Sequence, residues 1–443
     1  MSQFNLTIFQ RRYIFLFYLM FSMVVEVNIG LIGLGTIGSG VIEILSKNNE
    51  LIEKRTGVKI NLLYVCDKSI ERANQLGVEN IFVSDYKKIL DDKKVNTIVE
   101  LIGGFEPAHT IIIDSIKAKK HIVTANKAVL AKYGYEIFEE AQKQKVNVLF
   151  EASVCGAIPI IKTIEESYAS DNIESICGII NGTTNFILTK MSEGLDYDSA
   201  LKQAQELGFA ESNPEFDVEG KDAAQKLKIL ASLAFDAKIE EEPFTQGITK
   251  ITNLDINYAK ELGYKIKLLA IAKKDNNLIE LKVHPTMIPH NHVLANINNE
   301  VNGVILFGKN TGQIFLSGKG AGKLPTATVI VTDLIEMGSR GKITQRKFEK
   351  RITKPITESH SRFFLRFTVT NKPNVLSQLT KILGNEGISI AAVSQKEINK
   401  EIIPVIFITH KAQEQQIINA ISQCDKLEII KEPTAIIRIE DLF

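Results

Sequence analysis

The chain has 443 residues, 44% apolar and 24% charged, with a formal net charge of +1. That length exceeds one ordinary core and calls for two or three domains, in a composition typical of folded globular proteins. A near-neutral chain has no field to gather nucleic acid or coat an anionic membrane, and four scattered cysteines, Cys66, Cys155, Cys177 and Cys424, with no C-x-x-C pair, suit reduced thiols in a cytoplasm.

Residues 1–23 read as an N-terminal extension. Arg11 and Arg12 precede an apolar run at 13–25 that is short for a bilayer span and lacks an A-x-A-like cleavage site. Met23 is the expected start, and secretion is the weaker reading. From 24 to 150, apolar runs at 27–33, 60–66, 97–101, 121–124 and 147–151 alternate with amphipathic stretches such as 38–47 and 133–144. This rhythm predicts βαβ units and a parallel, doubly covered sheet. From 151 to 320 the pattern changes to helices at 157–167, 184–193, 198–207 and 220–235 with strands at 173–180 and 278–285, a mixed α/β substrate domain. The segment 321–357 holds a helix at 324–338 that returns to the first domain. It then runs into a basic, solvated linker with Lys342, Arg346, Lys347, Lys350 and Arg351, where no aromatic interleaving marks a nucleic-acid surface. The final part, 358–443, alternates strand, helix, strand, strand, helix, strand at 363–370, 375–386, 388–394, 405–409, 413–423 and 427–430, a ferredoxin-like module.

The strongest local pattern is Gly33-Leu34-Gly35-Thr36-Ile37-Gly38 at a strand-to-helix junction. Gly33 permits the tight turn, Gly35 lets backbone approach a pyrophosphate, and Gly38 allows close helix–strand packing, while N–H groups at the helix start face phosphate oxygens. Asp67 ends the next strand, where a ribose-binding acid belongs. Gly103 and Gly104 suit either a plain turn or a close approach to nicotinamide. Thr124-Ala125-Asn126-Lys127 closes another strand at the sheet's carboxyl edge; Lys127 is either solvated or holds substrate and cofactor together. Farther on, Asp222 and Lys226 lie four apart on one helix face. They are either a surface pair of small value or a carboxylate and a lysine that trades a proton with an alcohol oxygen. His284, His290 and His292 fit no helical ligand pair, and Pro285 and Pro289 suggest a loop, so zinc is the weaker reading.

Taken together, the strings GLGTIGSG at 33–40, ELIGG at 100–104, TANKA at 124–128, EASVCGAIP at 151–159, GIINGTTNFIL at 178–188, GFAESNPEFDVEGKDAAQKLKILA at 208–231 and GKGAGKLPTATVIVTDL at 318–334 resemble the homoserine dehydrogenase family. The resemblance implies interconversion of L-aspartate 4-semialdehyde and L-homoserine with NADP or NAD in threonine and methionine biosynthesis. It makes Lys226 the proton donor to the aldehyde oxygen and has Lys127 position substrate and cofactor. Glu211, Asp217 and Asp222 become the carboxylates that hold the amino acid and orient Lys226. It further implies that Glu151, Val154, Gly156 and Ile158 ligate a monovalent cation, sodium or potassium, mainly through carbonyls. Gly33, Gly35, Thr36, Ile37, Gly38, Asp67, Gly103, Thr124, Lys127 and Gly322 fall on the cofactor side. Relatives form homodimers or homotetramers. A catalytically silent sensor of nucleotide and amino acid is the alternative, against which both lysines stand.

The stretches RFFLRFTVTNKPNVLSQLTKILGNEGISIAAVSQ at 362–395 and VIFITH at 405–410 resemble an ACT domain, which implies an amino-acid effector and a tail whose removal leaves catalysis measurable. Its first loop reads Asn371-Lys372-Pro373-Asn374, where relatives usually have Asp-Lys-Pro-Gly; Asn374 still tolerates a left-handed backbone. Cys66 stands where many relatives carry an arginine for a 2′-phosphate. Asp67 favours NAD on charge grounds and Lys68 favours NADP. Ala157 replaces a common glycine, and Ser212-Asn213 replaces Ala-Asp.

Overall fold

The computed structural model describes residues 24–339, 343–396 and 400–440, so the N-terminal extension, Met23 and Lys342 lie outside the described residues. The chain divides into two compact units. One takes in the chain through Ala157 together with Ala321–Arg346; the other is Ile158–Gly320 with Lys347–Phe443.

The first unit is a Rossmann-type fold. Its six parallel strands run in the order Phe82–Val83, Val58–Cys66, Val25–Ile32, Thr97–Glu100, His121–Thr124, Val148–Leu149. The central strands bury Val, Ile and Leu on both faces because helices cover both. Ile32 pairs with Cys66 on one side and Glu100 on the other, so three carboxyl ends lie level. The strand order reverses beside Val25–Ile32, and open α/β sheets bind ligands at such a point. The helix Lys323–Ser339 returns to this core, burying Ala327, Ile330 and Leu334 with Val27, Val41 and Val58. The apolar run at 147–151 pairs only over Val148–Leu149, and Glu151–Ser153 turns into a 3₁₀ helix.

In the second unit, among the described residues, one twelve-stranded sheet carries both the substrate half and the C-terminal module. Its path runs Gly312–Lys319, Val301–Gly308, Ile173–Ile179, Tyr264–Asp275, Leu278–Pro289, and then Ile430–Ile439, His360–Thr370, Ile402–Thr409, Ile390–Gln395. The two halves join where Thr286 and Met287 pair in parallel with Arg438 and Ile439. The last four strands and the helices Val375–Asn385 and Glu414–Cys424 enclose their own core of Phe363, Leu365, Phe367, Leu379 and Ile417.

Several local expectations change. Pro159 delays the helix expected at 157–167, which appears as Ile160–Lys162 followed by a π-turn at Thr163–Ser167. The last strand is Ile430–Ile439 rather than 427–430. The basic segment is not wholly solvated linker, since Glu349–Lys350 pairs with Ala237–Lys238 and Ile352–Thr353 with Leu278–Ile279. His284 sits in a strand, not a loop, fully buried beside Thr286 Oγ1 at 2.9 Å. His290 and His292 serve local backbone contacts to Gly263 O and Leu294 N.

Lys267 is 3% exposed, and among the described residues its ammonium meets only neutral acceptors: Ile297 O at 2.6 Å, Asn185 Oδ1 at 3.0 Å and Asn298 Oδ1 at 3.4 Å. Burial pulls its pKa from 10.5 down to about 7. The folded chain therefore gives up this proton near pH 7, while the unfolded chain keeps it until the ordinary lysine range. In that window the unfolded state holds more protons, so stability rises with pH, by up to about 1.4 kcal/mol per pH unit from this group. Denaturant titrations at successive pH values should show the rise, and Lys267→Met should flatten it. An identical slope in both proteins would rule Lys267 out as its source.

Candidate active site

In the first unit, Gly33 holds φ +104°, and a Cβ there would stand 2.7 Å from the Leu101 carbonyl. A Cβ on Gly38 would stand 2.0 Å from Gly33 O, so only glycine lets the helix Thr36–Thr56 start so close to the turn. Gly35 faces open space and, as the N-cap residue, brings no side-chain cap to the helix's first turn. Thr36 is exposed and Ile37 half-buried at that end. This is the cradle a pyrophosphate needs. Beside it is a cavity of about 580 Å³ lined by Gly33, Gly35, Asp67, Lys68, Arg72 and Tyr86 among others. Asp67 Oδ2 accepts from Leu34 N at 2.7 Å and Oδ1 from Ser69 N at 3.1 Å, with Arg72 Nη1 3.7 Å away. The acid thus braces the glycine turn as well as facing the cavity.

Glu100 was not legible as a site residue. It is fully buried at the end of its strand, and its Oε1 accepts from Ile102 N at 2.8 Å and its Oε2 from Thr124 Oγ1 at 2.7 Å. Burial pushes its carboxyl up, against the pull of these donors. Thr124 Oγ1 in turn accepts from Asn126 N, and Asn126 donates to Gly104 O at 2.9 Å while capping the helix Lys127–Gln144 through Val129 N. One carboxylate therefore ties the Gly103–Gly104 turn, both residues at positive φ, to the helix start where half-buried Lys127 stands. Gly322, at φ +125°, accepts the first bond of the helix Lys323–Ser339 from Thr326 N.

Glu151, Val154 and Gly156 are buried, and Glu151 N donates to Asp333 Oδ2 at 3.1 Å. Cys155 and Gly156 are successive left-handed residues, φ 59° and 55°, which swing their peptide groups away from the helical direction. Ile158 belongs to the second unit, where its carbonyl accepts from Ile160 N and its side chain lies against Gly318.

In the second unit the strand Ile173–Ile179 delivers the chain to Asn181, whose Oδ1 caps the helix Gly182–Ser192 by accepting from Thr184 N at 2.8 Å. Its Nδ2 donates to Asp217 Oδ1 at 2.7 Å and to Asp222 Oδ2 at 2.8 Å. Lys226 Nζ donates to Asp222 Oδ2 at 2.7 Å and to Ile180 O at 2.9 Å. The side chains of Asp222 and Lys226 are 2% and 12% exposed, so this is no surface pair. Gly220, left-handed at φ 80°, lets the short helix Glu215–Val218 break into Lys221–Ala234, which puts Asp217 and Asp222 on one amide. Thr183 Oγ1 adds a donor to Phe209 O and a long contact of 3.5 Å to Asp217. Glu211 is exposed, outside this hydrogen-bonded group, with its carbonyl held by Gln205. The sequence singled out Asp217, Asp222 and Lys226 but not Asn181 or Thr183. The available signal was an Asn-Gly closing an apolar strand just before a helix.

Comparisons with known proteins match the chain along most of its length. Residues 33–151 match the family described as homoserine dehydrogenase, NAD binding domain, residues 159–335 match homoserine dehydrogenase, and 363–425 match the ACT domain. A homoserine dehydrogenase of Neisseria gonorrhoeae is 41% identical over 430 residues, covering 94% of this chain and 99% of that protein. The crystal structure of a homoserine dehydrogenase from Thiobacillus denitrificans superposes with a TM-score of 0.89 at 38% identity, covering 94% and 98% of the two chains. A hyperthermophilic archaeal homoserine dehydrogenase mutant solved in complex with NADPH gives a TM-score of 0.60 at 27% identity, over 70% of this chain and 97% of that one.

Proposed function

Because the chain belongs to the homoserine dehydrogenase family, we propose a division of labour among its own residues for the oxidoreduction of L-homoserine and L-aspartate 4-semialdehyde. The carrying observation is the Asn181–Asp217–Asp222–Lys226 network, in which the lysine donates to the Asp222 carboxylate and to the Ile180 carbonyl.

When bound, the nicotinamide supplies or accepts the hydride. The glycine turn at 33–38 holds its pyrophosphate, and the open face of Gly35 supports that role. As negative charge grows on the aldehyde oxygen, Lys226 Nζ meets it and passes it a proton; in the reverse direction Nζ takes the alcohol proton. Asp222 and Ile180 O aim the ammonium. Asp217, with Asp222 and Glu211, holds the amino group of the substrate, and Asn181 fixes the two aspartates. Lys127, on the helix start set by Glu100 and Asn126, positions substrate beside the nicotinamide.

NADP is the favoured cofactor in this reading. Both Asp67 oxygens already accept backbone N–H groups, and Lys68 and Arg72 supply two positive charges on the same cavity. Sodium or potassium is assigned to the carbonyls of Glu151, Val154, Gly156 and Ile158, which the left-handed pair at 155–156 supports. The loop at 371–374, with Asn374 at φ 69°, edges a cavity of about 270 Å³ suited to a small amino-acid effector. A cytoplasmic homodimer or homotetramer serving threonine and methionine synthesis completes the reading; among the described residues no helix is long and apolar enough to cross a membrane.

Steady-state assays with L-homoserine and NADP or NAD, with and without threonine and with sodium or potassium, test it. Turnover with both cofactors and a larger kcat/KM for NADP is expected. Cofactor binding without turnover would overturn the catalytic assignment, and a larger kcat/KM for NAD would overturn the preference.

A further inference from the structure

The C-terminal module reaches the substrate carboxylates through a short strap. Arg438, on the module's last strand and 4% exposed, is gripped by Glu414 through Nε at 2.9 Å and through Nη2. Its remaining donor, Nη1, leaves the module and bonds Gln246 Oε1 at 2.8 Å, while its guanidinium lies 4.8 Å from the Phe244 ring centroid. Gln246 is only half-buried, and its backbone N donates to Val283 O at 2.8 Å, so side chain and main chain both anchor the strap.

From there the strap presses on the turn that carries the substrate carboxylates. Ile248 N donates to Val218 O at 2.8 Å, and Thr249 Oγ1 donates to Glu219 Oε1 at 2.8 Å. A Cβ on Gly247 would stand 2.4 Å from Val218 O and 2.5 Å from Glu219 Cα, so backbone meets backbone with no slack between them. Thr245 closes the other side, 3.1 Å from where a Cβ on Gly220 would be. Val218, Glu219 and Gly220 are the residues directly after Asp217 and directly before Lys221 and Asp222. A strap shifted by a few tenths of an ångström therefore shifts both aspartates relative to Asn181.

The geometry points to Gln246 and Arg438 as positioning residues for the substrate carboxylates: the C-terminal module sets the 217–222 turn through the 244–249 strap. This rests on the assignment of Asp217 and Asp222 to the substrate. Arg438 acts through Gln246, and neither needs to touch substrate. Close-packed interiors pass such displacements on instead of absorbing them.

The test uses Gln246, because a half-buried neutral side chain can be changed without stranding a buried charge. Gln246→Leu keeps the volume and removes the acceptor; Gln246→Glu restores one for Arg438. The full chain carrying Gln246→Leu should show a KM for homoserine raised about tenfold with the KM for cofactor within about twofold, since misplacement of positioning groups costs that order. Gln246→Glu should return the homoserine KM to within about threefold of the parent, by the same measure. An unchanged homoserine KM in Gln246→Leu overturns the inference. So does a parallel rise in both KM values with a lowered Tm, which marks general loosening. Asp217→Asn, assayed alongside, separates the two levels. If it leaves the homoserine KM untouched, the substrate assignment has failed. If it raises that KM while Gln246→Leu does not, only the strap has failed.

Discussion

Lys226→Ala is expected to lower kcat by about 10²- to 10⁴-fold, the range carried by a positioned general acid or base. The lysine's ammonium donates to Asp222 Oδ2 and to the Ile180 carbonyl, which aim it. With the side chain gone, charge developing on the aldehyde oxygen has neither a counter-charge nor a proton source. Because that charge exists only in the transition state, kcat and kcat/KM should fall together. Cofactor affinity should hold, since the glycine turn at 33–38 and the cavity beside it draw on no residue of the helix Lys221–Ala234. Lys226→Arg should not rescue, because a guanidinium keeps its proton throughout the accessible pH range. Kinetics at saturating substrate, with a fluorescence titration of the nicotinamide cofactor, check both halves. An alanine variant with undiminished kcat would remove Lys226 from proton transfer.

Deleting residues 358–443 is expected to cost the protein its soluble fold, not merely its regulation. The sequence suggested a separable tail, but the sheet runs through the joint, and the charges there are shared. Lys282 is 1% exposed, with Glu440 Oε1 at 2.7 Å and Glu280 at 3.2 Å; Lys273 reaches Glu440 at 3.5 Å. Nearby, Arg366 bonds Asp255, which is itself fully buried and caps the helix Asn253–Glu261. Removing one partner of a buried pair costs about 3–5 kcal/mol; truncation takes Arg366 from Asp255 and leaves Lys282 with Glu280 alone. That approaches the whole stability of a typical domain. Burial alone would raise Glu440, but Lys282 and Lys273 hold its carboxyl below the usual range; burial would lower Lys282, but Glu440 and Glu280 hold it above. The pair's contribution is thus present near neutrality. It is lost as pH falls through the lowered Glu440 value and again as pH rises through the raised Lys282 value. Yield of soluble truncated protein, with Tm against pH for Glu440→Gln in the full chain, provides the measurement. A truncated enzyme as soluble and active as the parent would show the joint to be dispensable.

The nucleotide half was readable because its signals are mostly local. A parallel strand covered on both faces is an apolar run, Gly33 takes a positive φ in a tight turn, and Gly38 is required by a clash with Gly33 five residues back. The antiparallel sheet was harder. Tyr264–Asp275 places Lys265 and Lys267 in an apolar stretch and shows no clean alternation, because most of it is buried on both sides. Val301–Gly308 and Gly312–Lys319 are strands rich in glycine, a residue that local propensity counts against sheet. The last strand was placed too early because Lys431, Glu432 and Pro433 break the apolar pattern after Ile430, whereas pairing with His360–Thr370 resumes beyond them over Ala435–Ile439. The register shifts across that break, leaving Pro433 without a ladder bond to supply. Glu100 and Asn181 escaped notice for a different reason. Each matters through what it joins, and Ile102, Thr124, Asp217 and Asp222 come together only in three dimensions.

The nucleotide-binding core is closed by a helix that the ribosome makes late. The first stretch of that unit ends at Ala157, yet Lys323–Ser339 supplies the wall against which Val27, Val41 and Val58 are buried, close enough that a Cβ on Gly40 would stand 2.9 Å from Ala327 Cβ. At ~5–20 residues per second, the roughly 180 residues from Ala157 to Ser339 take about 10–40 s to emerge. For that interval a greasy sheet face waits without its cover, a natural client for a holding chaperone. In nascent chains halted near residue 320 the nucleotide unit should stay chaperone-bound, while in full-length chains it should close and let the chaperone go.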